Sequence, residues 1–144
     1  MSDDTHRSVT VERLETGVYR ATNAAGHELT FGSTADAGFT PVELLLAAIG
    51  GCSAVDVDMV TSRRAEPDRF EVVVEAEKTS DDTGNIMRDV RMTYHVAFPD
   101  GDDGDAARTR LPRAVEASHD RLCTVSRSVE AATPVAVHIA DPQA

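Results

Sequence analysis

Residues 40–60 read TPVELLLAAIGGCSAVDVDMV, and this stretch limits the fold more than any other in the chain. Thr40 can cap a helix, Pro41 suits its first position, and Glu43 at the third can reach back to the cap, so the tetrapeptide is a capping box. The spacing predicts a helix from here to about Arg63. Leu44, Leu45, Leu46, Ile49, Cys52, Val55, Val57, Met59 and Val60 spread over nearly all its faces. Such a helix is expected at the centre of a core, buried on most sides. Gly50-Gly51 interrupts it at a cost of about 1 kcal/mol per glycine relative to alanine. The pair predicts close approach of another backbone or a small substrate at that point.

The rest of the chain alternates in shorter periods. Val9, Val11 and Leu14, then Val18, Tyr19 and Ala21, then Leu29 and Phe31 predict three strands, broken at Thr16-Gly17 and at residues 23–26. Residues 70–78 and 86–98 predict a long hairpin, with Val72, Val74 and Ala76 facing Val90, Met92, Tyr94 and Val96. A turn over 99–105 leads to a second helix within 105–120, in which Pro112 marks a start or a kink. Residues 124–131 read as a third helix, and Pro134 to Ala140 as a last strand. The order is βββ-α-ββ-α-α-β in one domain over residues 1–144, and the fold class is α+β.

Charge narrows the possible partners. The chain has 14 Lys plus Arg against 25 Asp plus Glu, a net charge of −11. Such a surface repels phosphate backbones and anionic lipid, so nucleic acid and membrane are not expected partners. The longest apolar run, Leu44 to Ile49, is far shorter than the roughly 20 residues of a membrane span. With no signal-peptide pattern at the N-terminus, a cytoplasmic location is expected. Lys78 is the only lysine, and acid-rich, lysine-poor composition suits a halophilic, salt-adapted protein. A GC-rich genome, which favours Arg over Lys, explains the same bias.

Two cysteines remain, Cys52 within the apolar helix and Cys123 at a later helix boundary. A reactive Cys52 needs a nearby cation, whereas a helix N-terminus would favour a Cys123 thiolate. Two separate buried thiols are the alternative from spacing alone. His119 lies four residues before Cys123, but no third or fourth ligand accompanies them and no metal is expected. The acidic turn 100–105 lacks the Glu that closes a calcium loop, since residue 111 is Leu. Ser118-His119-Asp120 is consecutive, not a triad converging from separate segments, and no phosphate-cradling glycine motif is present.

Gly38-Phe-Thr-Pro-Val-Glu-Leu-Leu-Leu-Ala-Ala-Ile-Gly-Gly-Cys52-Ser-Ala, with Leu122-Cys123-Thr-Val-Ser126, resembles the two signature regions of the OsmC and organic hydroperoxide resistance (Ohr) family. The resemblance implies an OsmC-like fold, with antiparallel sheets around a central helix in an intertwined homodimer. It implies a thiol peroxidase without metal or organic cofactor, reducing alkyl or lipid hydroperoxides and recharged by an external dithiol reductant. Cys52 would be oxidised to a sulfenic acid, and Cys123 would condense with it to a disulfide.

In the family a catalytic Arg comes from the N-terminal strands, where Arg20 and Arg13 are the candidates. A Glu directly after the Pro positions it; here that place is Val42, and Glu43 follows. Glu43 also reads as a capping residue, and Arg20 as a strand surface charge. Leu45, Ile49, Met59 and Phe39, with Leu44, are the residues expected to receive an alkyl chain. The Gly-Gly-Cys-Ser-Ala context, with Asp56 and Asp58, resembles a less characterised branch. The alternative function is a non-enzymatic OsmC-like protein that binds a small apolar ligand or senses redox state.

Overall fold

Three antiparallel strands open the chain in the computed structural model, which describes residues 5–140. They are β1 (Val9–Glu15), β2 (Val18–Asn23) and β3 (Glu28–Gly32), joined as a meander in the order β1-β2-β3. Gly17 turns the first corner at φ +78, in the left-handed region that favours glycine. Tyr19 pairs with Phe31 across β2 and β3, and their rings stack with centroids 6.0 Å apart.

A short 3-10 turn at Ala35–Ala37 precedes α1 (Pro41–Thr61). The capping box forms as expected. The Glu43 carboxylate accepts from the Thr40 backbone N–H at 2.8 Å, and the Thr40 hydroxyl accepts from the Glu43 N–H at 3.3 Å. These bonds hold the Glu43 carboxyl below its ordinary pKa, the backbone one most of all.

Contacts divide the chain into two compact units, one up to Ala47 and one from Ala48 onward. The second unit is built on a long hairpin, β4 (Arg69–Asp81) and β5 (Gly84–Ala97). Val72 pairs with Tyr94 and Val74 with Met92, the expected facing sets. The register shifts between Glu75 and Glu77, opposite Asp89 at φ 54, so the sequence pattern continues while the ladder carries a bulge. Phe70 meets Tyr94 edge to face, with centroids 6.1 Å apart.

The two glycines of α1 have different surroundings. A Cβ at Gly50 would lie 2.6 Å from Val74 Cγ2, so the hairpin packs directly on that residue, whereas a Cβ at Gly51 meets nothing within 4 Å. Close approach therefore accounts for Gly50 alone. Gly50→Ala is expected to lower stability by about 1–2 kcal/mol through overpacking, and Gly51→Ala to raise it by about 1 kcal/mol through helix propensity. Denaturant unfolding of the two variants checks this contrast.

α1 is less covered than its composition suggests. Only Ile49, Gly50, Ser53, Val57 and Thr61 are buried, while Val55 and Met59 are 60% and 59% exposed. One copy of the chain thus covers one face of a helix that is apolar on several. At 21 residues and a mean hydropathy of 1.6, α1 is long and apolar enough to cross a bilayer, although its longest unbroken apolar run is short. The central helix of a globular domain meets the same description, and Asp56, Asp58 and the hairpin packed on Gly50 set α1 among those.

After the hairpin comes α2 (Asp102–Ala117), then a single π turn at Ser118–Leu122, then α3 (Thr124–Glu130). α2 begins three residues before its expected limit, because Asp102, Asp103 and Asp105 suit the positive end of a helix dipole. Pro112 lies inside α2 and does not mark its start. The expected last strand is not paired. Residues 134–140 form no ladder, and Val135, Val137 and Ile139 are 86%, 83% and 96% exposed. Their alternation is that of a strand, but among the described residues no neighbouring strand offers the hydrogen bonds that would make it one. The α+β class and the antiparallel sheets follow the sequence reading.

Candidate functional site

Cys52 lies on the third turn of α1, half-buried, one residue past the glycine pair. Cys123 follows the π turn, is fully buried, and caps α3: its sulfur accepts from the Ser126 N–H at 3.5 Å. The Cys123 thiol donates to Ser126 Oγ at 3.3 Å. The two cysteines, 71 positions apart in sequence, lie near enough for Cys123 to act on the Cys52 thiol. Neither is in a disulfide.

Burial pushes the Cys52 thiol up from its ordinary pKa. The Val125 backbone, at the start of α3, hydrogen-bonds the sulfur and pulls the other way. The neighbouring Cys123 and then the negative charge of Asp56 push it up further. The thiol is thus the favoured form in this environment. Asp56→Asn removes one opposing charge, so the Cys52 pKa is expected to fall, and only slightly, because Asp56 is the smallest of the named causes. Ultraviolet thiolate absorbance against pH, in a Cys123→Ser background, measures the shift; an unchanged or higher value contradicts it.

Beside the cysteines lies a chain of buried hydroxyls that the sequence did not reveal. Ser118 Oγ is 2.9 Å from Asp56 Oδ2 and 3.0 Å from Ser53 Oγ, and Ser53 Oγ is bonded to the Tyr94 hydroxyl. Ser53 and Ser118 are almost wholly excluded from solvent. A hydroxyl carries one proton, and a carboxylate only accepts. Ser118 therefore donates to Asp56, Ser53 to Ser118, and Tyr94 to Ser53. Burial holds the Tyr94 phenol above its ordinary pKa, against the lowering effect of its bond to Ser53, so it remains a donor. Ser53 and Asp56 stand three apart on one helix face, but Ser118 is 65 residues from Ser53, and no spacing rule links them.

A cavity of about 330 Å³ opens beside this chain. Ile49, Val90, Met92 and Val129 supply apolar wall, and Tyr94 and Ser126 also line it. Of the residues expected to receive an alkyl chain, Ile49 is therefore at a cavity. Leu45, Met59 and Phe39 are exposed. His119, at the rim, does not join Cys123. Its Nδ1 is 2.9 Å from Asp120 and its Nε2 3.4 Å from Glu130, and these contacts, Asp120 first, raise its pKa.

Arg20 and Glu43 both have partners inside the N-terminal unit. Arg20 bridges Glu12 and Glu28 on the neighbouring strands, and Glu43 closes the helix cap. Arg13 hydrogen-bonds Thr16. Among the described residues no group of three or more His, Cys, Asp or Glu side chains could hold a metal.

The chain is a mixed α+β protein with one cysteine on its longest helix and a second at a later helix cap. Residues 33–138 match the family model of OsmC-like proteins, and the chain belongs to that family. Protein YhfA of Escherichia coli K12 is 27% identical over 127 residues, covering 87% of this chain and 90% of that protein. An OsmC-like protein of unknown function from Vibrio cholerae superposes with TM-score 0.72 at 14% identity, over 88% of this chain and 94% of the other. The organic hydroperoxide resistance protein OhrB of Bacillus subtilis does so with TM-score 0.52 at 21% identity, over 86% and 90%. At these identities the structural likeness establishes a shared fold. Proteins of this fold thus include one named for hydroperoxide resistance and another of unknown function.

Proposed function

We propose that this chain is a cysteine-based peroxidase that reduces organic hydroperoxides in oxidative stress defence. The observation that carries the reading is that Cys52 and Cys123, thiols from distant parts of the chain, lie near enough for one to act on the other. The Cys52 thiolate attacks the outer peroxide oxygen, the O–O bond breaks, and the alkoxide takes up a proton and leaves as an alcohol. Cys52 is then a sulfenic acid, two electrons more oxidised. The Cys123 thiol attacks the Cys52 sulfur, forming the disulfide and releasing water. An external dithiol returns both cysteines to thiols and is itself oxidised to a disulfide. No metal or organic cofactor enters the cycle.

The apolar cavity at Ile49 supports an alkyl or lipid-derived substrate. The cation that favours the thiolate is the role family resemblance gives to Arg20, with Glu43 to orient it. A cytoplasmic homodimer fits the exposed apolar faces of α1 and the unpaired alternating segment 134–140, which a second copy would cover. Treating the reduced protein with an organic hydroperoxide and weighing its peptides tests the reading. A Cys52–Cys123 disulfide, with one alcohol formed per disulfide, is the expected result, and intact thiols after peroxide treatment contradict it.

A second reading, a redox sensor or carrier of a small apolar ligand, is favoured by the raised pKa of Cys52 and by Val42 in the place of the family's Glu. Extraction of a bound apolar molecule, with no peroxide-dependent disulfide, would select it.

A further inference from the structure

Ser118 links the two cysteine-bearing segments through its backbone and hydroxyl and bonds neither sulfur. Its backbone carbonyl accepts from the Cys123 N–H at 2.8 Å, closing the π turn that ends at Cys123. Its side chain points the other way, to Asp56 and Ser53 on α1. Ser53 adjoins Cys52, and Asp56 lies one helical turn beyond it. One residue therefore ties the Cys123 turn to the turn of α1 that carries Cys52.

The chemistry of the position supports a purpose for the hydroxyl. Ser118 has no solvent exposure, and burying a hydroxyl is unfavourable unless it is fully bonded. Alanine would suit the turn geometry equally and would avoid that cost. Both partners of the hydroxyl flank Cys52, and Tyr94 completes the bonding of Ser53 from the hairpin. The polar chain is closed, since no described buried side-chain N or O atom lacks a partner. A closed network of this kind has one arrangement, and here that arrangement ties the Cys123 turn to the part of α1 that carries Cys52.

We propose that Ser118 is a positioning residue for the Cys52–Cys123 pair, its hydroxyl fastening the Cys123 turn to Asp56 and Ser53 so that a disulfide closes without rearranging either helix. The inference rests on the pairing of the two cysteines proposed above, but not on a peroxide as oxidant. Two chain thiols and one oxidised glutathione give one chain disulfide and two reduced glutathiones, so the position of this equilibrium reports how well the fold holds the thiols together.

The experiment equilibrates the full-length chain with oxidised and reduced glutathione and quantifies the disulfide by mass. Ser118→Ala is expected to lower the equilibrium constant for disulfide formation at least about fivefold relative to the unmodified chain. Asp56→Ala, at a half-exposed position, removes the same contact and is expected to lower it likewise, so the proposal stays testable should Ser118→Ala fail to fold. Ser118→Thr keeps the hydroxyl and is expected to restore the constant to within about twofold. An alanine variant that folds and changes the constant by less than about fivefold overturns the proposal, as does an unmodified chain that forms no disulfide. Loss in the alanine variants from a chain that ignores organic hydroperoxides would refute the peroxidase reading and leave the positioning role standing.

Discussion

Cys52→Ser is expected to reduce organic hydroperoxide consumption to the uncatalysed rate, because an alcohol cannot supply the polarizable nucleophile that attacks the peroxide oxygen. Cys123→Ser is expected to behave differently. Its first turnover proceeds, Cys52 stops as a sulfenic acid one oxygen heavier, and repeated turnover with a dithiol slows or is lost. Peroxide consumption followed by mass analysis separates the two variants. Unchanged turnover in Cys52→Ser would sink the peroxidase reading. A Cys123→Ser variant that turns over normally would remove the resolving role and leave Cys52 acting alone. The contrast is sharp because Cys123 is fully buried and bonded to Ser126, so its first accessible oxidised partner is Cys52.

The second large effect is structural. Gly104→Ala places a Cβ on the Pro99 carbonyl oxygen, a backbone atom that cannot rotate away. Gly104 is buried in the first turns of α2, and Arg108 fastens the same loop by donating to the Phe98 carbonyl at 3.0 Å. Either the helix or the loop must move, and a loss of about 3 kcal/mol or more is expected. For a chain of this length that corresponds to a fall in Tm of roughly 10 °C. Thermal unfolding checks it, and a Tm within about 2 °C of the unmodified protein contradicts it. Gly51→Ala, where a Cβ meets open space, is the control in the same experiment.

Local elements were legible because their causes are local. The Thr40-Pro41-Val42-Glu43 cap formed as its residue types require, and the facing sets of the β4–β5 hairpin followed from alternation. The reading of Gly50-Gly51 was half right, since only Gly50 packs closely. Burial of α1 was overestimated for a single chain, because composition reports which residues are apolar and not whether enough chain exists to cover them. Residues 134–140 illustrate the same limit from the other side. Alternation is a property of the segment, but a strand requires a partner edge.

At the site, Cys52 and Cys123 were legible as residues, with Ile49 as wall. Ser118 was visible only as part of a consecutive Ser-His-Asp and was passed over on sound grounds, since no triad forms there. Its importance comes from Asp56 and Ser53, which no motif joins to it. Arg20 and Glu43 each gained a local partner that a one-dimensional pattern had already suggested, a strand ion pair and a helix cap.

By itself, then, the sequence determined the capped helix, the hairpin, the order of elements as far as α3 and the two places where a thiol occurs. Each of these depends on residues a few positions apart, where backbone geometry converts spacing directly into structure. The tertiary structure alone decided that the two thiols come near one another, that Tyr94, Ser53, Ser118 and Asp56 form one chain of hydrogen bonds, and that a cavity opens beside them. Those contacts join residues up to 71 positions apart. They depend on how helix faces and hairpin pack around side-chain volumes, which periodicity does not encode.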